Sequence, residues 1–268
     1  MNTLTLFKDS LFKFSDLSRA KKMPFGKVIL YIIFLSMVLA VPITKQIFSI
    51  MHDIKNDGQK IAAKLPEFEI KDGKFQTSAA TKGFIYQTNS IIFTFDPQGK
   101  RALSDIAADS VGSTIGIGFL EDEFVIALPG SGMTDSLLGA NQLEVPYKKG
   151  TLDGLNSKNL KKALDESSVP FWIKLVIFFV TLYPTFLNLL INLILIAFGA
   201  NLYARIRRYR LRFFDCLKIS AYCATLPVIL SSLIHFFNQS FDDSYLIIFT
   251  SLLIFFFALK NEERQPLV

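Results

Sequence analysis

Two sets of polar side chains recur at helical spacing inside stretches that are otherwise apolar. Thr181, Thr185, Asn188 and Asn192 follow steps of 4, 3 and 4; Ser220, Ala224, Pro227, Ser231 and His235 follow steps of 4, 3, 4 and 4. Each set therefore lies on one face of a helix. In hydrocarbon such hydroxyls and amides seek partners on neighbouring helices, so the two faces are expected to pack together. The rival chemistry is a polar path for a solute or a proton, with His235 as its titrating group. No Asp, Glu, Lys or Arg lies deep in either stretch, which favours packing.

Other residues offer less. His52 is the only other histidine, and the two cysteines, Cys216 and Cys223, lie seven apart. On a helix their Cα atoms are about 10 Å apart, too far for a disulfide. No zinc-ligand spacing is present, so no metal and no cofactor are expected. Pro129-Gly130-Ser131-Gly132 lacks the G-x-S-x-G frame of a serine nucleophile and reads as a turn. Gly112, Gly116 and Gly118 do not make G-x-G-x-x-G and read as loop or strand glycines, or a bulge. Glu121-Asp122-Glu123 reads as an exposed turn, because three adjacent acids do not point at one centre. The chain is expected to be non-enzymatic.

The densest charge is Arg205, Arg207, Arg208, Arg210 and Arg212, which follows 26 uncharged residues, Leu175 to Ala200. Such a run is at home in a bilayer, and basic residues beside it stay cytoplasmic. The arginines are expected to set topology and to grip anionic lipid headgroups. Nucleic acid is not an expected partner, although the net charge is +6, because the basic charge sits beside apolar segments.

The elements that must position these residues follow from the hydropathy. The expected order is a basic amphipathic cytoplasmic segment (1–27), a transmembrane helix (28–50), an outer domain (51–169) and a second transmembrane helix (170–201). A basic cytoplasmic loop (202–218), a third helix (219–237), a short outer loop (238–244), a fourth helix (245–259) and a cytoplasmic tail (260–268) complete it. Six basic residues stand in 1–27, six in 202–218 and none in 238–244, which puts both termini in the cytoplasm of a bacterial cell membrane. Leu4, Phe7, Leu11 and Phe14 give the first segment an apolar face, for the inner membrane surface or for the protein itself. The 26-residue run is about 39 Å long as a helix, against about 30 Å of hydrocarbon, and Pro184 can kink it.

Residues 51–169 carry 13 basic and 16 acidic residues and no cysteine. Glu67–Lys71 and Lys74-Phe75 flank Asp72-Gly73, the signature of a hairpin. A strand-forming run covers Phe84–Phe95; Thr114–Leu120 and Phe124–Leu128 form a second hairpin; Gln142–Tyr147 is a further strand. Helical patterns cover Arg101–Ser110 and Ser157–Glu166, with a weaker one over Asp53–Lys64. The fold class is a membrane α-helical protein of four transmembrane helices, with an extracytoplasmic α+β domain inserted between the first and second.

A basic loop leads from Phe214-Asp215-Cys216-Leu217-Lys218 into a helix with a Tyr-x-x-Thr-x-Pro pattern, Tyr222 to Pro227. With Phe7-Lys8-Asp9-Ser10, Lys27-Val28-Ile29-Leu30-Tyr31 and the order of segments, the chain resembles an uncharacterised membrane family of Gram-positive bacteria. Some of its members carry the name maltodextrose utilisation protein MalA. The resemblance implies an association with sugar uptake and brings no catalytic residues. The expected function is that of an accessory or regulatory membrane protein whose outer domain binds a membrane or envelope partner or a ligand, in support of maltodextrin use. The alternative is a transporter component with a polar path between the second and third helices.

Overall fold

Residues 2–78, 80–110, 114–128, 141–238 and 241–262 are described by the computed structural model. Helices are α1 (Thr3–Phe12), a 3-10 helix (Phe14–Lys22), α2 (Phe25–Lys64), α3 (Leu103–Asp109), α4 (Ser157–Glu166), α5 (Phe171–Ile206), α6 (Phe213–Cys223), α7 (Thr225–Phe237) and α8 (Asp243–Ala258). Strands are β1 (Phe68–Lys71), β2 (Lys74–Thr77), β3 (Phe84–Gln87), β4 (Ile91–Phe95), β5 (Ile115–Phe119), β6 (Glu123–Ala127) and β7 (Gln142–Pro146). The chain divides into two compact units: Met1–Phe48 with Val169–Val268, and Ser49–Ser168.

The first unit is helical. By length and composition α2 and α5 could each cross a membrane, and α6 with α7 makes a third candidate if the bent pair counts as one. Helix α2 runs for 40 residues, so the weak helical pattern over Asp53–Lys64 is the continuation of the first apolar helix. The third apolar segment is not the single helix expected over 219–237. It breaks at Ala224 with a bend of 43°. Pro227 explains the break: it has no N–H for the Cys223 carbonyl, and its ring crowds that carbonyl. Helix α8 is apolar but has only 16 residues, about 24 Å.

These helices share one core. Helix α5 turns Ala197, Ala200 and Ala204 inward and packs along α6, where small side chains let two backbones approach. Helix α1 buries Leu6 and Ser10 and leaves Leu4 and Phe12 exposed. It docks on the 3-10 helix, α6 and α7, so its buried line is not the Leu4–Phe7–Leu11–Phe14 face read from the spacing. Lys21 pairs with Glu262, and Lys218 donates to the Lys21 carbonyl at 3.3 Å. The 3-10 helix, the start of α6 and the end of α8 thus gather at one end of this unit. At α8's other end, Asp243 lies 3.4 Å from His235 at the end of α7.

In the second unit, β1 and β2 pair around Asp72 and Gly73, both at positive φ, as a type I′ turn requires. Gly73 also lies against another segment: a Cβ there would meet the Lys148 backbone at 2.9 Å. The Phe84–Phe95 run is two antiparallel strands rather than one, with Thr88, Asn89 and Ser90 in the turn. The main sheet has the order β3-β4-β5-β6-β7, antiparallel except for β4 and β5. That parallel pair needs a crossover, which α3 supplies.

One face of the sheet buries Ile91, Phe93, Phe95 and Phe119 with Ile61, Leu65, Phe68, Ile70 and Tyr147. The other face packs Val125 and Ala127 against Ile106 of α3. Gly116 and Gly118 are strand residues, and their role is to admit α3. A Cβ at Gly116 would stand 2.8 Å from the Ile106 carbonyl oxygen, and one at Gly118 would stand 3.3 Å from the tip of the Ile106 side chain. Gly116→Ala is therefore expected to destabilise this unit by about 1–3 kcal/mol and Gly118→Ala by less. Pulse proteolysis of the purified chain, read at cleavage sites in 49–168, checks the order.

Candidate functional site

The polar residues of the helical unit act on one another and on exposed backbone. Pro42 lies inside α2 and cannot donate to the Val38 carbonyl, four residues back. Ser232 of α7 donates to that carbonyl at 3.0 Å. The Thr44 and Thr181 hydroxyls lie 2.9 Å apart, and each also reaches a carbonyl of its own helix, Ala40 at 2.8 Å and Phe178 at 2.9 Å. Thr185 donates to the Thr181 carbonyl at 2.7 Å. At the break between α6 and α7, Thr225 donates to the Tyr222 carbonyl at 2.7 Å. Its oxygen lies 2.5 Å from the Tyr31 hydroxyl, whose ring stacks on Tyr222 with centroids 4.2 Å apart.

The expected polar faces are thus only partly brought together. Thr181 and Asn192 are buried, Thr185 is half-buried and Asn188 is exposed. Ser220, Pro227 and Ser231 are buried. Among the described residues, Asn192 Nδ2 and the hydroxyls of Ser220, Ser231 and Ser251 have no hydrogen-bond partner. His235 stands apart, beside Asp243 and the Phe241 ring. Tyr31, Thr44, Thr225 and Ser232 were missed by spacing alone. Pro42 was the signal for Ser232, because an internal proline frees a carbonyl.

The arginines form a second feature. Helix α5 ends with Arg208 at φ 60°, in the left-handed region. The Tyr209 N–H donates to the Ala204 carbonyl at 2.8 Å and the Arg208 N–H to Arg205 at 3.1 Å. These two bonds make a Schellman cap with arginine where glycine is usual. Tyr209 and Leu211 are buried, and Arg205, Arg207, Arg208, Arg210 and Arg212 are all exposed. The alternation holds Arg208, Arg210 and Arg212 outward like a comb. The Asp215 carboxylate accepts the Arg212 N–H at 3.0 Å and starts α6. Among the described residues none of the five guanidinium groups has an ion pair.

The third feature lies within the second unit. A cavity of about 180 Å³ is lined by the α2 tail (Gly58, Ile61), by Phe93 and Phe119 of the sheet and by Leu160 and Leu164 of α4. Its lining is wholly apolar. Polar contacts fix its walls. Gln59 donates to Asp165 at 2.9 Å, and Lys55 donates to the Ser167 carbonyl at 2.5 Å. Buried Asp57 accepts the Ser90 N–H at 3.0 Å and pairs with Lys60 at 2.9 Å. Burial opposes its ionisation, but the hydrogen bonds from Lys60, Ser90 and Thr88 prevail and hold its carboxyl below the usual range.

Glu121 and Asp122 form the β5–β6 turn, and Glu123 opens β6. Burial, then Glu144 and Asp122, push the Glu123 carboxyl up. His52 is exposed, and Cys216 and Cys223 are free and buried. Pro129-Gly130-Ser131-Gly132 and Gly112 lie outside the described residues. Among the described residues no group of three or more His, Cys, Asp or Glu could hold a metal ion.

The family described as "Protein of unknown function (DUF1189)" matches residues 4–259. The chain belongs to this family. Its match runs from α1 to the residue after α8 and takes in both units. It says nothing of maltodextrin. No curated protein and no solved structure matches the chain.

Ser232→Ala leaves the Val38 carbonyl unpaired in apolar surroundings and is expected to cost about 1–3 kcal/mol, read as a lower thermal midpoint of the purified chain. Asp57 has a lowered folded pKa, so its stabilisation is complete above the ordinary carboxylate range and is lost as pH falls through the folded value. Asp57→Asn should abolish that acid-side loss in the second unit, and hydrogen exchange at the β3–β4 turn as a function of pH tests it.

Proposed function

We propose that this DUF1189 protein crosses the cell membrane four times and displays residues 49–168 outside, as a non-enzymatic accessory or regulatory protein that binds an apolar group. The four crossings are α2, α5, the bent pair α6–α7, and α8. Support comes from the two ends of the helical unit. The N-terminal segment, the start of α6 and the end of α8 meet at Lys21, Glu262 and Lys218, and the arginine loop leads into α6. His235 and Asp243 meet where α7 ends and α8 begins. Basic residues beside apolar helices stay cytoplasmic, so both termini and the arginines face inward on this reading. There the outward arginines meet anionic headgroups.

The cavity in the second unit carries the binding proposal. Its volume is comparable to the ~150 Å³ of an apolar cavity that stays dry and accepts benzene. It therefore suits one aliphatic or aromatic group, such as a side chain of an envelope protein. It gives the hydroxyls of a sugar no hydrogen-bonding partner, so any support of maltodextrin use runs through a protein partner. The polar residues of a transport path do not share a face, since Asn188 points outward and His235 is tied to Asp243.

A cysteine at Lys158 should react with an impermeant maleimide on intact cells, whereas one at Arg210 should react only after permeabilisation; the reverse pattern would refute the orientation. Gly58→Leu fills the cavity, because a Cβ there meets Leu164 at an ordinary 3.4 Å. It also replaces a helical glycine with a better helix former. Partners recovered with the wild type from native membranes in mild detergent should fall about tenfold with this variant. Unchanged recovery would end the binding proposal.

A further inference from the structure

Along its second half α5 is covered on all but one narrow line. Pro184, Asn188, Ile191, Leu195, Phe198 and Leu202 follow steps of 4, 3, 4, 3 and 4, and all six are exposed. Between Leu189 and Ala204 the seam positions are the only exposed ones on the helix, and each is more than half exposed. The six positions span 18 residues in five steps, the 3.6-residue turn of a straight helix, so the line runs along one side of α5 as a narrow seam. Membrane helices pair along such lines when a polar side chain on them needs a partner.

Asn188 is the single polar member of the seam. It stands at the middle of the uncharged run Leu175–Ala200, as far from either end as a residue there can be. Among the described residues its side chain has no hydrogen-bond partner. A primary amide in hydrocarbon without a partner is strongly disfavoured, because its lost hydrogen bonds to water are not replaced. Its donors and acceptor therefore call for a group that supplies both.

We propose that α5 pairs with α5 of a second copy, in parallel, with Asn188 hydrogen-bonded to Asn188 across a two-fold axis. The amide is self-complementary, since it carries an acceptor oxygen and two donor hydrogens. Copies inserted the same way and related by an axis along the membrane normal place identical residues at identical depth. An unrelated helix would have to match that depth by coincidence. One asparagine at an inner seam position also fixes register and limits the assembly to a defined number of helices. Apolar contacts from Ile191 to Leu202 supply the rest of the interface, and the amide pair sets which copies meet and where.

The proposal rests on α5 crossing the bilayer, and the experiment separates the two. Full-length chains labelled with donor and acceptor dyes at a terminal tag are reconstituted into phosphatidylethanolamine–phosphatidylglycerol vesicles at graded protein-to-lipid ratios. Energy transfer should saturate for the wild type. Asn188→Leu, which leaves the exposed face apolar and the fold intact, should need about tenfold higher density, and Asn188→Gln should restore pairing. In a chain with Cys216 and Cys223 replaced by alanine, a cysteine at Leu195 should cross-link between copies on oxidation, and one at the off-seam Ile194 should not. Absence of transfer at every density, or wild-type behaviour of Asn188→Leu, would overturn the pairing in a chain that resists alkaline carbonate extraction. Release by carbonate would overturn the membrane reading and the pairing with it.

Discussion

A backbone carbonyl that has lost its donor is the constraint around which the helical unit is arranged. Apolar helices keep their backbone satisfied from within, and each internal proline breaks that rule at one carbonyl. Pro42 opens the ladder of α2 at Val38, and a hydroxyl from α7 closes it. Pro227 ends α6, and Thr225 and Tyr31 tie the broken ends to α2. The placement of α7 is thus specified by hydrogen bonding as well as by shape. Apolar packing alone would allow these helices to slide and rotate, because one Leu or Phe contact resembles another.

The second unit solves a different problem. It has no cysteine to cross-link it, and it relies on an aromatic core in which Phe68, Phe75, Phe95 and Phe119 contact one another. Large rings fill volume efficiently but leave irregular gaps where aliphatic helices meet them. The cavity lies at such a junction, between the sheet and the residues of α2 and α4. Across the sheet the reverse holds. There Gly116 and Gly118 remove side chains so that α3 lies directly on the strand. One sheet therefore packs a helix tightly at Gly116 and Gly118 and leaves an apolar cavity on its opposite face.

Much of this was legible in the sequence. The uncharged runs foretold α2 and α5, because hydropathy over that length has few other uses. Asp72-Gly73 foretold its hairpin, and α4 begins and ends where its pattern did. The misses have physical causes. Thr88, Asn89 and Ser90 are ordinary turn residues, but the β-forming residues around them hid the turn. A helical wheel groups Thr181, Thr185, Asn188 and Asn192 within one sector; it cannot show that the buried boundary runs through that sector. Neighbours decide it: Asn192 is buried and Asn188 is left bare. The cavity and the outward comb of arginines depend on packing between distant segments, which no local pattern encodes.

The bond from Ser232 to Val38 joins residues 194 positions apart. Translation delivers them in that order, so the first apolar helix waits through 194 residues of synthesis with an open carbonyl at Val38. Until α7 is made, that oxygen has no partner on α7 and must find one elsewhere. The position of the first helix is consequently provisional until a hydroxyl 194 residues further along the chain is in place.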